Sequence, residues 1–347
     1  MRIETSIPMN NWGAIAASAK HSEEVGYDGL VSFEISNDPF IPLAFAATAT
    51  ERVQLGTAIT VCFPRSPMVM AGTAWDLHVQ SKGRFTLGMG TQVKGHNERR
   101  FSVPWTAPLP RLREYIGAMR AIWRCWEQGE KLDYQGEHYN FTLMTPEFSP
   151  PKSNLPAIPI SIAAVKPAML KLSGTICDGV RLHGFATKKY LQEVALPAID
   201  EGLAKSGRDR SNFEIWGGGF IATGPDQETV DKQLEWTRYR IGFYGSTRSY
   251  HGVFNVHGWD DLGMKLHAMS KEGKWKEMAA EISDDVLHEF TATATFDEIG
   301  KAVEERFGGL TDSIAMDFSL AEPGLQKELL QDLKKIPQQF TGFSGAW

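Results

Sequence analysis

The chain has few cysteines and no long apolar run, and each absence argues against a class of protein. Its 347 residues include three cysteines, Cys62, Cys125 and Cys177, which lie far apart in the sequence. Scattered cysteines of odd number predict free thiols in a reducing compartment, so we expect a cytoplasmic protein. No apolar stretch approaches the length of a membrane span, and the first twelve residues contain no apolar signal segment. We therefore expect neither membrane insertion nor secretion.

Excess positive charge is also missing. The chain carries 36 Lys and Arg against 42 Asp and Glu, a formal net charge of −6. A nucleic-acid-binding protein would show a basic stripe, so we expect no nucleic-acid partner. Metal-ligand spacing is absent too, because the pair His251 and His257 does not match a usual zinc pattern. We expect no metal site.

Aromatic residues are abundant, with ten tryptophans and 19 phenylalanines. They can form a hydrophobic core and an oligomer interface, or they can line a site for a flat aromatic ligand. We favour the core for most of them. The number of tryptophans also leads us to expect a homodimer.

Segments with strand-like and helical patterns alternate along the chain. The helical pattern is clearest at 108–128, where apolar residues recur every three or four positions. Eight strand–helix alternations over this length favour a closed (β/α)8 TIM barrel. A doubly wound open sheet is the alternative, but it would want a glycine-rich phosphate turn after the first strand, and none is present. Strands are predicted at residues 2–8, 28–34, 52–60, 84–90, 157–163, 177–183, 213–222 and 311–318.

Two connections are too long for simple loops between a strand and a helix. They cover approximately residues 92–156, which contain a predicted hairpin at 132–141, and residues 244–295. Long connections on the C-terminal face of a barrel are where substrate specificity usually lies. We therefore expect one domain, residues 1–347, with two long insertions on that face.

The third and fourth predicted strands end in small residues. Gly56-Thr57-Ala58-Ile59-Thr60 ends one, and Gly88-Met89-Gly90-Thr91 ends the other. Strand ends without bulk allow a flat ligand to approach the backbone. We expect a ligand site at the carboxyl ends of the strands.

An ordered set of short motifs resembles the bacterial luciferase-like superfamily of flavin- and deazaflavin-dependent oxidoreductases. The segments 90–101 and 144–146 are most similar to the subgroup that uses coenzyme F420, an 8-hydroxy-5-deazaflavin. The resemblance also implies the barrel fold. The superfamily motifs are Gly26-Tyr27-Asp28-Gly29-Leu30 with Glu34, Leu55-Gly56-Thr57-Ala58, Arg65-Ser66-Pro67, residues 76–85, Leu87-Gly88-Met89-Gly90, residues 111–115, Gly136-Glu137-His138-Tyr139, Pro159-Ile160 and Asp178-Gly179.

This resemblance implies a set of cofactor-binding residues. A cis peptide bond between Ala58 and Ile59, followed by Thr60, would support the cofactor ring. The ends of the fourth and fifth strands would hold the phosphate arm, the latter through backbone N–H groups at a helix start. Lys166 would add a positive charge, although a solvated lysine is an equal alternative. The phosphate-arm residues are Gly90, Thr91, Val93, Ala163, Ala164, Val165 and Lys166.

The sequence does not single out one residue as the acid–base group that transfers a proton. Luciferase-like enzymes often place a histidine after the acidic residue that ends the second strand, but Ile35 follows Glu34 here. Isoleucine cannot transfer a proton. Our catalytic candidates are Glu34, Asn37 and His96, although a buried carboxylate that hydrogen-bonds the backbone is an equal alternative for Glu34. His96 lies in a basic cluster that could bind phosphate or the acidic tail of the deazaflavin, or form a solvated charged loop with Glu98 as its partner. Three further histidines are alternatives: His183, His251 and His257.

The resemblance implies an F420-dependent oxidoreductase that transfers a hydride between the deazaflavin C5 and a small organic substrate. One alternative is a luciferase-like monooxygenase that uses reduced FMN and oxygen. Another is a flavin-binding protein without catalytic activity, in which Trp105 or Phe148 would fill the pocket. These two aromatic residues and residues 244–259 are otherwise candidates for contacts with the substrate.

Overall fold

A closed barrel of eight parallel strands forms the centre of the protein. The computed structural model describes residues 1–347. Around the barrel the order is β3, β2, β1, β8, β7, β6, β5 and β4, and β4 pairs with β3 to close it. Closure confirms the (β/α)8 prediction and excludes the open sheet. The strands are β1 (Arg2–Ser6), β2 (Gly29–Ser32), β3 (Gln54–Thr57), β4 (Phe85–Gly90), β5 (Ile160–Ala164), β6 (Gly179–Leu182), β7 (Glu214–Gly217) and β8 (Ser313–Ala315).

Helices surround the barrel. The helix Pro108–Gln128 has the predicted bounds and buries its apolar stripe, including Tyr115 and Trp123. The first helix ends where Gly26 takes a left-handed φ of 109°, a conformation that glycine adopts without a steric penalty. The helices are Trp12–Val25, Phe40–Ala49, Pro67–Gln80, Lys94–Arg99, Pro108–Gln128, Pro167–Ile176, Lys188–Tyr190, Leu196–Ser206, Gln227–Gly245, His251–Asn255, Asp260–Lys271, Asp284–Phe290, Ile299–Phe307 and Pro323–Lys334.

Apolar side chains pack between the helices and the barrel in three buried clusters. The largest lies between the first five strands and their helices and includes Phe85, Trp75 and Trp123. Twelve of the 19 phenylalanines are buried, which supports the core interpretation for most of them. Burial of one such side chain is worth about 1.5–3 kcal/mol.

The predicted strand at 213–222 is wrong in one respect, because the structure divides it. Strand β7 stops at Gly217, and a separate strand, Phe220–Gly224, follows. Gly217 and Gly218 have φ angles of 75° and 101°, which interrupt an extended strand. Phe220–Gly224 pairs in parallel with Thr291–Thr295, a strand within the second long connection that the sequence did not reveal.

The two long connections contain further structure. The first holds the predicted hairpin, in which Tyr134–Gln135 pairs with Asn140–Phe141. The second holds three of the helices, at His251–Asn255, Asp260–Lys271 and Asp284–Phe290. None of the helices in the structure has both the length and the apolar character that crossing a bilayer would require.

Candidate active site

A cavity of about 870 Å³ opens at the carboxyl ends of the barrel strands. Residues at or just beyond the ends of seven of the eight strands line it. Strand β7 contributes no lining residue, and Arg240 and Tyr244 of the helix Gln227–Gly245 complete the lining together with Tyr250. In (β/α)8 barrels this end of the strands carries the ligand site. The location predicted from the small strand ends is therefore the location of the cavity.

Most of the predicted cofactor-binding residues lie together in the cavity lining. Thr60 and Lys166 do not. Thr60 is fully buried and donates a hydrogen bond to the Glu34 carboxylate at 2.9 Å, and Lys166 is an exposed residue directly before the helix Pro167–Ile176. The eight that line the cavity are Ala58, Ile59, Gly90, Thr91, Val93, Ala163, Ala164 and Val165.

The peptide bond between Ala58 and Ile59 is cis, as predicted. The backbone on both sides of the bond is tied to the end of β2. The Ala58 N–H donates to the Ser32 carbonyl at 2.6 Å, and the Ile59 carbonyl accepts from the Glu34 N–H at 3.1 Å. Contact between this bond and a cofactor ring stays a prediction.

Glu34 lines the cavity, but its carboxylate is already occupied by protein donors. Oε2 accepts hydrogen bonds from the Thr60 hydroxyl, the Val61 N–H and the Arg65 guanidinium at 2.9, 2.7 and 2.7 Å. These contacts join the chain after β2 to the chain after β3. Glu34 therefore positions the strand ends, and an acid–base role for it stays a prediction.

The other two catalytic candidates lie outside the cavity lining. The Asn37 side chain accepts a hydrogen bond from the Ser36 hydroxyl at 2.9 Å. His96 is exposed on the short helix Lys94–Arg99. The guanidinium of the neighbouring Arg100 donates to the backbone carbonyl of Ile35 at 2.6 Å, and Ile35 lines the cavity, so this side chain attaches the basic segment to the cavity. Catalytic roles for Asn37 and His96 stay predictions.

His183, at the end of β6, is the histidine that lines the cavity. Its Nδ1 accepts a hydrogen bond from the Phe185 N–H at 2.9 Å, and its ring packs against Tyr244 and Tyr250 with centroid distances of 4.3 and 5.0 Å. Burial, together with the charge of Arg240, lowers the pKa of His183 to about 4. The imidazole is therefore neutral at pH 7, and its proton lies on Nε2, which has no partner in the protein.

In the sequence, only its position at the end of a predicted strand distinguished His183. The other two alternative histidines, His251 and His257, do not lie at strand ends. His257 hydrogen-bonds the Thr187 hydroxyl at 2.8 Å and stacks on Trp259 at 4.1 Å. Neither His251 nor His257 lines the cavity. Both are placed by packing among the helices of the second long connection.

The two aromatic candidates for filling the pocket also lie elsewhere. Trp105 packs against Phe63 at 6.5 Å, and Phe148 is 80% exposed. Neither lines the cavity. The protein's own side chains therefore leave this space to a ligand.

Three half-buried or exposed side chains near the hairpin are of the types that bind metal ions. The ligand atoms of Glu114, Glu137 and His138 lie within 4.8 Å of one another. However, the Glu114 carboxylate accepts hydrogen bonds from the backbone N–H groups of Glu137 and His138 at 3.1 and 2.7 Å. This arrangement anchors the hairpin to the helix Pro108–Gln128.

The fold and the site define a (β/α)8-barrel protein with a ligand cavity at the carboxyl ends of its strands. The family model of luciferase-like monooxygenases matches residues 2–313, so the chain belongs to the luciferase-like family. The members of that family are oxidoreductases and monooxygenases. This assignment agrees with the motif resemblance in the sequence.

Individual relatives add detail. An uncharacterised protein of Mycobacterium tuberculosis is 42% identical over 335 residues, which are 96% of this chain and 98% of the relative. A 5,10-methylenetetrahydromethanopterin reductase of Archaeoglobus fulgidus is 27% identical over 306 residues, 85% of this chain and 87% of the relative. Among solved structures, a coenzyme F420-dependent tetrahydromethanopterin reductase from Methanopyrus kandleri has a TM-score of 0.76 at 20% identity and covers 96% and 98% of the two chains. This last similarity supports the fold.

Proposed function

We propose that the protein is an F420-dependent oxidoreductase that transfers a hydride between the deazaflavin C5 and a small organic substrate. The observation that carries the proposal is the cavity, in which eight of the ten predicted cofactor-binding residues meet. Two of the similar proteins support it by their names, because one is an F420-dependent reductase and the other a reductase acting on a related pterin.

Small residues on the β3–β5 side of the cavity support the proposal of a flat cofactor there. A Cβ atom added to Gly90 would lie 2.7 Å from Ile59 Cδ1 and 3.6 Å from the Ala163 Cβ. The absence of a side chain at Gly90 therefore lets Ile59 pack closely against the end of β4, between two predicted cofactor contacts. The total volume of about 870 Å³ lies within the usual range for cofactor and ligand pockets.

The predicted phosphate side also has suitable chemistry. The helix Pro167–Ile176 begins directly after Val165 and Lys166, and no side chain caps its first turn. Unpaired N–H groups at a helix start bind phosphate, and the helix dipole adds to the attraction. The lining residues Ala163 to Val165 lead to this helix start from the end of β5.

The chain's own residues would orient the reactants. A bound deazaflavin would supply the hydride donor or acceptor at C5. The Nε2–H of neutral His183 can donate a hydrogen bond to a substrate oxygen and so hold a carbonyl or hydroxyl group in the cavity. Because the pKa of His183 is lowered to about 4, its Nδ1 stays an acceptor for the Phe185 N–H across neutral pH, and this bond holds the ring proton on Nε2. Tyr244 and Tyr250 hold the ring in place by packing on it.

The first test is a fluorescence titration of the purified protein with F420 and with FMN. We expect saturable binding of F420 at micromolar or lower concentration and weaker binding of FMN. Tight binding of FMN without binding of F420 would replace the proposal with the monooxygenase alternative. Binding of F420 without hydride exchange with any of a panel of alcohols, ketones and imines would favour the non-catalytic alternative.

A matched pair of glycine variants locates the binding site. Gly90→Ala places a methyl group against Ile59, and we expect it to weaken F420 binding about tenfold by overpacking the site. Gly72→Ala is the control, because a Cβ there meets no atom within 4 Å. Equal F420 affinities for the two variants would place the cofactor elsewhere.

A further inference from the structure

Arg240 is a cation without a partner in the cavity lining. It lies on the helix Gln227–Gly245, and its guanidinium carbon is 4.8 Å from the ring centre of Phe220 and 5.7 Å from that of Tyr244. The guanidinium makes no hydrogen bond, and no carboxylate oxygen lies within 4.0 Å of it. The two rings hold the side chain in position and leave its N–H donors free.

The other arginines show that this is unusual within the molecule. Each remaining arginine that is not exposed donates to a carboxylate or to carbonyl oxygens: Arg65 pairs with Glu34, and Arg306 bonds the carbonyls of Ala186 and Gly218. The arginines without partners, apart from Arg240, are all exposed and can be hydrated: Arg52, Arg99, Arg113 and Arg248. A half-buried guanidinium with five unused donors is matched to an anion that comes from outside the chain.

The position of Arg240 separates it from the predicted phosphate arm. The phosphate arm is assigned to the ends of β4 and β5, whereas the helix of Arg240 follows β7 and the strand Phe220–Gly224. Strand β6, which His183 directly follows, lies between β5 and β7. The Tyr244 ring contacts His183 at 4.3 Å and also lies beside Arg240. Arg240 and His183 thus form one side of the cavity.

The acidic residues of the cavity do not neutralise Arg240. Glu34 is paired with Arg65 at 2.7 Å. Asp317 is exposed and accepts a hydrogen bond from the Ser319 N–H at 2.8 Å. Arg181, the other cation in the lining, is paired with Glu4 at 3.0 Å. Asp317 keeps its charge, but no carboxylate oxygen lies within 4.0 Å of Arg240, and Arg240 is the charge that acts on His183, so the charge beside His183 is positive.

We propose that the substrate of this site carries an anionic group, a carboxylate or a phosphate, which Arg240 binds while the substrate's reacting oxygen accepts a hydrogen bond from His183. The proposal rests on the proposed function in one respect, that the cavity is the active site. A guanidinium binds carboxylate and phosphate through paired N–H donors, which also fixes the orientation of the ligand. Arg240 is thus a specificity-determining residue.

The test compares ligands that differ in charge but share a phenyl ring: benzoate, phenyl phosphate and benzamide. Calorimetric titration of the F420-loaded protein should show that an anion binds more tightly than benzamide. Arg240→Gln should weaken anion binding about tenfold to a hundredfold and leave benzamide unchanged. Arg240→Lys should restore part of the loss. The preferred anion, benzoate or phenyl phosphate, identifies which group the site takes.

The control variant is Arg248→Gln, which removes an exposed arginine without partners from the same region and should change no affinity. Absence of saturable anion binding, or equal losses for benzoate and benzamide in Arg240→Gln, would overturn the proposal. A loss of F420 affinity with unchanged anion binding would also overturn it, because Arg240 would then serve the cofactor. Anion preference that persists in a protein unable to bind F420 would retain this proposal and reject the cofactor assignment.

Discussion

Charged side chains form ion pairs within the barrel interior, whereas the cavity above it contains polar groups that have no protein partner. Arg181 and Arg2 extend into the interior, where they pair with Glu4 and Glu214, each at 3.0 Å, and Arg181 also reaches the cavity lining. Elsewhere in the lining, Arg240 and the Nε2–H of His183 have no protein partner. This difference separates structural groups from candidate ligand-binding groups. Charges that are paired within the chain support the fold, and polar groups without a protein partner are available to a ligand.

The interior network is closely packed. Glu4 also accepts a hydrogen bond from the Trp216 indole N–H at 2.8 Å, and Arg181 lies over the Trp216 ring at 4.4 Å. Glu214 is fully buried, and burial raises its pKa to about 7 although Arg2 opposes the shift. Because the charges of this network depend on one another, removal of one member leaves another buried and unpaired.

The largest expected effect is on the interior pair. Arg181→Met removes the partner of Glu4 but keeps most of the side-chain volume, and we expect it to lower the free energy of unfolding by about 3–5 kcal/mol. Urea denaturation measures the change. The matched control is Lys20→Met, at an exposed pair with Glu24 where the N–O distance is 4.0 Å, for which we expect a loss below about 0.5 kcal/mol. Similar losses for both variants would remove the contrast between paired interior charges and surface pairs.

The intermediate effect is a pH dependence that His183 introduces. Its pKa is about 4 in the folded protein and near 6.5 in the unfolded chain, so the unfolded chain binds more protons between these values. Stability should therefore fall as the pH decreases from 6.5 to 4, and His183 should account for about 2–3 kcal/mol of the loss. The variant His183→Asn keeps an acceptor for the Phe185 N–H and should lack this part of the loss.

Urea denaturation at several pH values between 7 and 4 measures this effect. His288→Asn is the control, because it removes an exposed histidine whose ring makes no hydrogen bond within the protein. A stability curve of His183→Asn parallel to that of the wild type would show that His183 is not held neutral by its burial.

The smallest expected effect concerns the unpartnered cation. Arg240→Met keeps an apolar stem against Phe220 and breaks no hydrogen bond or ion pair, so the free energy of unfolding should change by less than about 0.5 kcal/mol. Urea denaturation of Arg240→Met and Arg181→Met under the same conditions compares the free energies of unfolding for two arginines that line the same cavity. A loss comparable to that of Arg181→Met would mean that Arg240 supports the fold, and the contrast would fail.

The sequence predicted the elements and the place of the site better than the contacts inside it. Alternating apolar residues located all eight barrel strands, and the small residues at 58 and 90 located the cavity. The pairing of Phe220–Gly224 with Thr291–Thr295 was missed because nothing local marks a partner so distant in the chain. The approach of Arg240 to His183 was missed for the same reason. The homodimer and the cytoplasmic location stay predictions.

The break at Gly217 and Gly218 has a consequence for how this site can change. Because β7 ends there, the side of the cavity that presents Arg240 is formed by a helix and not by a strand end. The hydrogen bonds of that helix are its own, whereas a residue in a barrel strand shares its backbone bonds with two neighbours. The proposed anion-binding side of the cavity is thereby separated from barrel closure, and the helix face can accept new side chains while the strand ends are kept.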